Sequence, residues 1–175
     1  GVFTLLNAVY NARRSHPDIR LCILGEGPLR TEIERRIDRL ELRANVTLLD
    51  RVPSARDVAC LYNQSQMLVC ASTAEGGPRV TAEAMACGIP AVTTPVGMMR
   101  ELIQDGENGL LFHWDAHELA QKICLLLEDE PLRTRLAEAG RRMAFERFTT
   151  RRMTDGIEEF LSTVAAQAAA SEKKP

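Results

Sequence analysis

Met67-Leu68-Val69-Cys70-Ala71-Ser72-Thr73-Ala74-Glu75-Gly76-Gly77-Pro78-Arg79-Val80-Thr81-Ala82-Glu83-Ala84-Met85-Ala86-Cys87-Gly88-Ile89-Pro90-Ala91-Val92-Thr93 is the stretch that decides the fold. The apolar run at 67–71 predicts a strand, and the Gly-Gly-Pro after it predicts a tight loop. A helix is expected near 80–87, stopped by Gly88, before a second short strand at 91–93. Strand, loop, helix and strand in this order make a unit whose two strands run parallel.

The same alternation continues outward. Upstream, Val2, Leu5, Leu6 and Val9 recur at helical spacing, and Pro17 closes that helix. The run at 20–24 reads as a strand entering the turn Gly25-Glu26-Gly27. Pro28 suits the first position of a helix carrying Leu29, Ile33, Ile37 and Leu40. A strand at 46–49 and a helix at about 55–64 follow. Downstream, a short run at 109–112 precedes helices at about 116–127 and 131–145. A tail helix starts near Thr150. The fold class expected is therefore α/β, a doubly wound parallel sheet covered on both faces. Such domains open with a strand, whereas this chain opens inside a helix. A strand is therefore expected ahead of residue 1. Residues 1–165 form one domain in this reading, with 166–175 as a frayed tail.

With 175 residues, 45% of them hydrophobic, the chain can bury a real core. A net charge of −2 argues against a nucleic-acid-binding surface. No apolar run approaches the roughly 20 residues needed to span a bilayer. The five cysteines lack C-x-x-C spacing, and Cys22 and Cys70 fall in apolar runs. This predicts reduced, buried thiols and a cytoplasmic setting. Lys122 is the only lysine outside the tail pair Lys173 and Lys174.

The chemistry is expected at the strand ends, where doubly wound sheets hold ligands. Glycines at 76 and 77 let a ligand approach the backbone closely. The helix start beyond them favours an anion such as phosphate. Glu75 enters this loop and Glu83 lies about a turn into the helix. Two carboxylates beside a phosphate site are suited to accepting hydrogen bonds from sugar hydroxyls.

At this point a resemblance becomes specific. Two glutamates with seven residues between them, followed by Ala-Met-Ala-Cys-Gly-Ile-Pro, resemble the signature of glycosyltransferase family 4. Members of that group 1 family are retaining enzymes of the two-domain GT-B fold. Their carboxyl-terminal Rossmann-like half binds the nucleotide sugar. Residues 24–28 are similar to the family's glycine-rich turn, 45–52 to the strand ending near the base, and 105–109 and 147–149 to later landmarks. The resemblance implies that Glu75 serves the reaction centre by holding the transferred sugar. Gly25, Gly27, Gly76, Gly77, Arg79 and Val80 would line the sugar-diphosphate, with Arg51 and Val52 near the base and Glu83 on the ribose. It implies a nucleotide-diphosphate sugar as donor, a hydroxyl acceptor, no cofactor and no metal. It also implies an amino-terminal acceptor domain absent from this chain, so that the fragment alone is inactive. Two departures stand out. Pro78, where the family has glycine, lacks a backbone N–H, and the family's Arg-Lys pair that grips the diphosphate would lie ahead of residue 1.

Other readings compete. A nucleotide-binding module without chemistry fits Pro78 and the absent partner domain. Gly25-Glu26-Gly27 with Asp50 some 20 residues on imitates a nicotinamide-dinucleotide fingerprint of an oxidoreductase. Arg30, however, stands where its third glycine belongs. His16, His113 and His117 lack metal-ligand spacing. Trp114 is expected to pack rather than stack on a base. The arginines from Arg133 to Arg152 read as a solvated helix face, with peripheral membrane contact as the alternative.

Overall fold

The computed structural model describes residues 1–77 and 79–172. Helix α1 (Val2–Ala12) leads to strand β1 (Leu21–Leu24), helix α2 (Arg30–Arg39) and strand β2 (Val46–Leu49). Helix α3 (Ala55–Asn63), strand β3 (Leu68–Cys70), helix α4 (Arg79–Ala86) and strand β4 (Ala91–Thr93) follow. A short helix α5 (Met99–Leu102) and strand β5 (Leu110–Leu111) precede α6 (Ala116–Glu128), α7 (Glu130–Arg147) and α8 (Thr150–Glu172).

All the described strand pairs are parallel, as expected. They form two groups, β1–β2 and β3–β4–β5, where one continuous sheet was expected. Both groups pack on one hydrophobic cluster that includes Ile23, Val46, Val69, Val92 and Leu110. Gly1 is pressed onto the carboxyl end of β3, where a Cβ would lie 1.4 Å from the Ala71 carbonyl oxygen.

The core follows from helical periodicity. Leu5, Leu6, Ala8, Val9 and Ala12 of α1 face Leu119, Ala120, Ile123 and Leu126 of α6, with Phe112 fully buried among them. A second cluster joins Met85 of α4 to Met99, Leu102, Met143 and Ala144. Here α7 must come close: a Cβ on Gly140 would stand 3.1 Å from the Asn108 carbonyl oxygen and 3.2 Å from Met85 Cγ. That contact holds α4, which carries Glu83, against the rest of the domain. The side-chain amide of the buried Asn45 donates to the carbonyls of Pro17 (3.0 Å) and Ile19 (2.8 Å), locking the entries of β1 and β2.

Several expectations need correction. Pro28 lies in the turn, and α2 starts two residues later at Arg30. Helix α5 was not foreseen, since four residues are too few to show a period. Cys22 is exposed, because β1 alternates and turns it outward; only Cys70 is fully buried. All five cysteines are free thiols. The frayed tail expected over 166–175 lies partly outside the described residues; α8 is helical to Glu172. Along α8, Met153, Ile157, Phe160, Leu161 and Val164 are all exposed.

Burial ranks these positions. Truncating a buried phenylalanine costs about 3–5 kcal/mol, since transfer and cavity terms add. Phe112→Ala is therefore expected to lower the denaturation midpoint sharply, whereas Phe160→Ala on α8 leaves it nearly unchanged. Equal losses from both, in a urea titration, would show that α8 is part of the core.

Candidate functional site at the carboxyl ends of the strands

Parallel pairing places the ends of β1 and β2 side by side, and likewise those of β3, β4 and β5. At the first edge, the Gly25 N–H donates to the Leu49 carbonyl (2.9 Å), setting the glycine turn beside residues 50–52. Arg51 is exposed and Val52 half-buried. Immediately after them Ser54 and Asp57 form a reciprocal capping box that starts α3. Asp50 is taken by Arg30, whose Nη1 lies 2.6 Å from its carboxylate. Arg30 also stands at the third-glycine position of that fingerprint, and this counts against the nicotinamide reading.

At the second edge, β3 ends in the loop carrying Ser72, Glu75, Gly76 and Gly77, and α4 begins at Arg79. Pro78, with the donor that it lacks, lies outside the described residues. The glycines here divide into two kinds. A Cβ on Gly27, Gly76 or Gly77 would meet nothing within 4 Å, so the chain's own packing does not require glycine there; Gly25 is equally open, but its φ of +146° favours glycine. At Gly97 a Cβ would stand 2.3 Å from the Glu75 carbonyl oxygen, and its φ of +50° is left-handed. Gly106 and Gly156, which the sequence assigned to no ligand, are open in the same way.

Glu75 is half-buried, and its Oε1 accepts from Ser72 Oγ. Glu83 projects from α4 with its side chain 42% exposed, and Arg79 Nε lies 3.0 Å from its Oε1. Arg79 is 89% exposed, and such an i,i+4 pair is worth only about 0.3–0.5 kcal/mol, little enough for a ligand to displace. Val80 is exposed in the first turn of α4. Its carbonyl accepts from the Tyr62 hydroxyl (3.3 Å), which ties α3 to α4. Burial, helped by the nearby Glu83 carboxylate, pushes the Tyr62 phenol up to about 12.

Sequence reasoning passed over three contributors at this edge: Thr94, Gly97 and Tyr62. Thr94 and Gly97 follow β4 directly, so the rule that ligands meet strand ends could have found them. Tyr62 carries no such signal, because only the packing of α3 on α4 brings it there. Trp114 departs from expectation. It is 39% exposed rather than packed, and its indole N–H donates to the Ser72 carbonyl (3.1 Å). The histidines have other partners: His16 meets Glu128 (2.8 Å) and His113 meets Glu118 (3.4 Å). Among the described residues no three His, Cys, Asp or Glu side chains converge as a metal site would require. Lys122 pairs with Asp105 (3.5 Å). Two shallow concavities lie along α7, around Arg142 and Glu146.

Fold and site together define an α/β ligand-binding domain with glycine turns and two carboxylates at its strand ends. The family model for glycosyl transferases group 1 matches residues 1–143, and the chain belongs to that family. An uncharacterized glycosyltransferase of Methanocaldococcus jannaschii is 32% identical over 158 residues, 90% of this chain and 43% of that protein. The N-acetyl-alpha-D-glucosaminyl L-malate synthase of Bacillus anthracis is 31% identical over 142 residues, 81% of this chain and 36% of that enzyme. The chain thus spans roughly two fifths of the length of such curated relatives. Among solved structures, Anabaena Alr3699/HepE in complex with UDP-glucose superposes with a TM-score of 0.85 at 28% identity, over 93% of this chain and 45% of that one. The carboxyl-terminal domain of a group 1 glycosyl transferase from Francisella tularensis shares the fold, with a TM-score of 0.79 over 86% of this chain and 80% of that one.

Two outcomes follow. Gly77→Ala meets no neighbour, so the melting temperature is expected to hold while affinity for a nucleotide diphosphate falls by about tenfold, roughly 1.4 kcal/mol. A lowered melting temperature with unchanged affinity would reverse that assignment. For Tyr62 the folded-state value stands above the ordinary 10.0, so the protonated phenol favours folding. Its contribution is complete below pH 10 and is lost as pH rises through about 12. The phenolate absorbance that Tyr62→Phe removes should therefore develop near pH 12 rather than 10.

Proposed function

We propose that this chain is the carboxyl-terminal, donor-binding domain of a retaining glycosyltransferase of family 4. In this reading it moves a sugar from a nucleotide-diphosphate sugar to a hydroxyl acceptor. The observation that carries the reading is the β3–α4 junction. There Glu75 and Glu83 flank two glycines whose open faces the chain does not itself fill.

Each group has a role its chemistry allows. The diphosphate lies over Gly76 and Gly77 at the start of α4, where backbone N–H groups and about half a unit of positive dipole charge meet the oxygens. That field matters most as the glycosidic bond breaks, because charge then accumulates on the departing diphosphate. Glu75 accepts hydrogen bonds from the transferred sugar through the carboxylate oxygen that Ser72 leaves free. Glu83 exchanges its weak Arg79 contact for the ribose hydroxyls, and Arg79 turns to the phosphates. The base lies by Arg51 and Val52, above the Gly25–Gly27 turn. Binding of UDP and UDP-glucose by HepE supports UDP as the first nucleotide to try.

The acceptor is held by an amino-terminal domain outside this chain, and transfer needs both halves. Metal independence belongs to the same reading, with the α4 dipole and basic side chains in the place of a cation. Five free thiols support a cytoplasmic setting. Peripheral membrane contact has less support, since Arg133 and Arg135 are engaged by the carbonyls of Leu126 and Gly106. A binding module without chemistry is the second reading, favoured by Pro78, which has no backbone N–H to offer a departing diphosphate.

Calorimetry of the full-length protein with UDP, GDP and ADP tests the reading. One nucleotide diphosphate is expected to bind, and Glu83→Ala to weaken it by about 1.5–3 kcal/mol, the range for hydrogen bonds to a charged group. Sugar transfer should persist in EDTA. Unchanged binding in Glu83→Ala would overturn the site, and binding without transfer or donor hydrolysis would favour the module.

A further inference from the structure

Three chain segments, the β3 loop itself, the residues after β4 and the residues after β5, meet at Ser72. Its carbonyl oxygen accepts two side-chain hydrogen bonds, one from Thr94 Oγ1 (2.6 Å) and one from Trp114 Nε1 (3.1 Å). Its hydroxyl donates to Glu75 Oε1, which Cys70 Sγ also approaches at 3.6 Å. From the other side Gly97 lies directly against the Glu75 carbonyl, leaving no room for a side chain there. The loop that carries Glu75 is therefore braced from β4 and from the segment after β5, not only from its own helix.

Trp114 is built for this position. A bulky residue at φ +58° is a backbone outlier, and it survives only where its surroundings impose it. Here both flanks are tied. The His113 N–H donates to Glu118 Oε2 (2.8 Å), and Asp115 Oδ1 accepts from the Glu118 N–H (2.7 Å) as the N-cap of α6. Those bonds hold the Trp114 peptide in the left-handed region and aim its indole N–H across 42 positions of sequence at Ser72. With 39% of the residue exposed the ring is only partly covered, and its N–H is satisfied by the Ser72 carbonyl.

We propose that Trp114, Thr94 and Ser72 form a positioning relay that sets the Glu75 carboxylate for the sugar of the donor, as distinct from its nucleotide. The inference rests on the donor-domain reading and adds residues outside the glutamate segment to it. Ser72 orients Glu75 directly, while Thr94 and Trp114 act through the Ser72 carbonyl. Because Glu75 meets the sugar and Glu83 the ribose, the relay affects turnover and leaves nucleotide affinity alone. Thr94 is fully buried and Trp114 open to solvent, so the relay joins the interior of β4 to the exposed face of the site.

The test uses the full-length protein with UDP, GDP and ADP and with their glucose esters. In the nitrogen–proton spectrum the Trp114 indole resonance is identified by its loss in Trp114→Phe. It is expected to shift with the glucose ester of the nucleotide that binds and to stay in place with the diphosphate alone. Ser72→Ala should lower kcat by about tenfold or more, since misplacing a contact at the reacting centre costs rate. The nucleotide diphosphate Kd should change by less than about twofold, and Ser72→Thr should restore turnover. In a Glu75→Gln background Ser72→Ala should add nothing further, because neighbours in one network are not additive. Independent, additive losses, or an equal fall in kcat and nucleotide affinity, would overturn the relay and leave the donor site standing. An indole resonance that ignores a bound glucose ester would do the same. If the unmodified protein binds none of the six compounds, the donor reading itself fails.

Discussion

Parallel strand pairing is the constraint on which the rest of this structure depends. Two parallel strands cannot be joined by a tight turn, so each must be followed by a helix that returns the chain to the starting edge. Every loop leaving β1, β2, β3 and β4 therefore opens at a strand's carboxyl end, and the residues proposed to bind the donor sit in those loops or in the first turns of α4. The helices then complete the site. The approach of α7 to α4 over Gly140 fixes where Glu83 stands, and the Tyr62 hydroxyl holds α3 to the same helix.

The glycines differ in what the fold asks of them. Gly140 and Gly97 are demanded by neighbouring atoms and serve the fold. Gly76 and Gly77 meet no atom of the chain and yet stand where a helix dipole opens toward solvent. The same contrast holds for charges. Arg30 is held by two carboxylates, Glu34 and Asp50, whereas Arg79, 89% exposed, meets Glu83 alone in a pair weak enough to be exchanged. A site that binds a charged ligand needs partners that are held loosely until the ligand comes.

Much of this was legible in residue order. Strand periodicity identified β2 and β4 to the residue, because short apolar runs bounded by turn residues have few alternatives. The Glu75–Glu83 segment pointed to the candidate site, since two carboxylates and two glycines at a strand-to-helix turn suit ligand binding. Helix α5 was invisible because four residues hold barely one turn. The outward turn of Cys22 was misread because a run of apolar residues does not say which face of a strand is covered.

By itself the sequence determined the alternation of elements, the parallel class and the two glutamates, because period and turn chemistry are local properties of the chain. Only the tertiary structure decided that Trp114 and Thr94 meet at Ser72, that Gly97 lies against Glu75, and that Asp50 is held by Arg30. Those contacts link residues 20 to 42 positions apart, and the packing of helices on the sheet brings them together. A local pattern carries no record of such meetings.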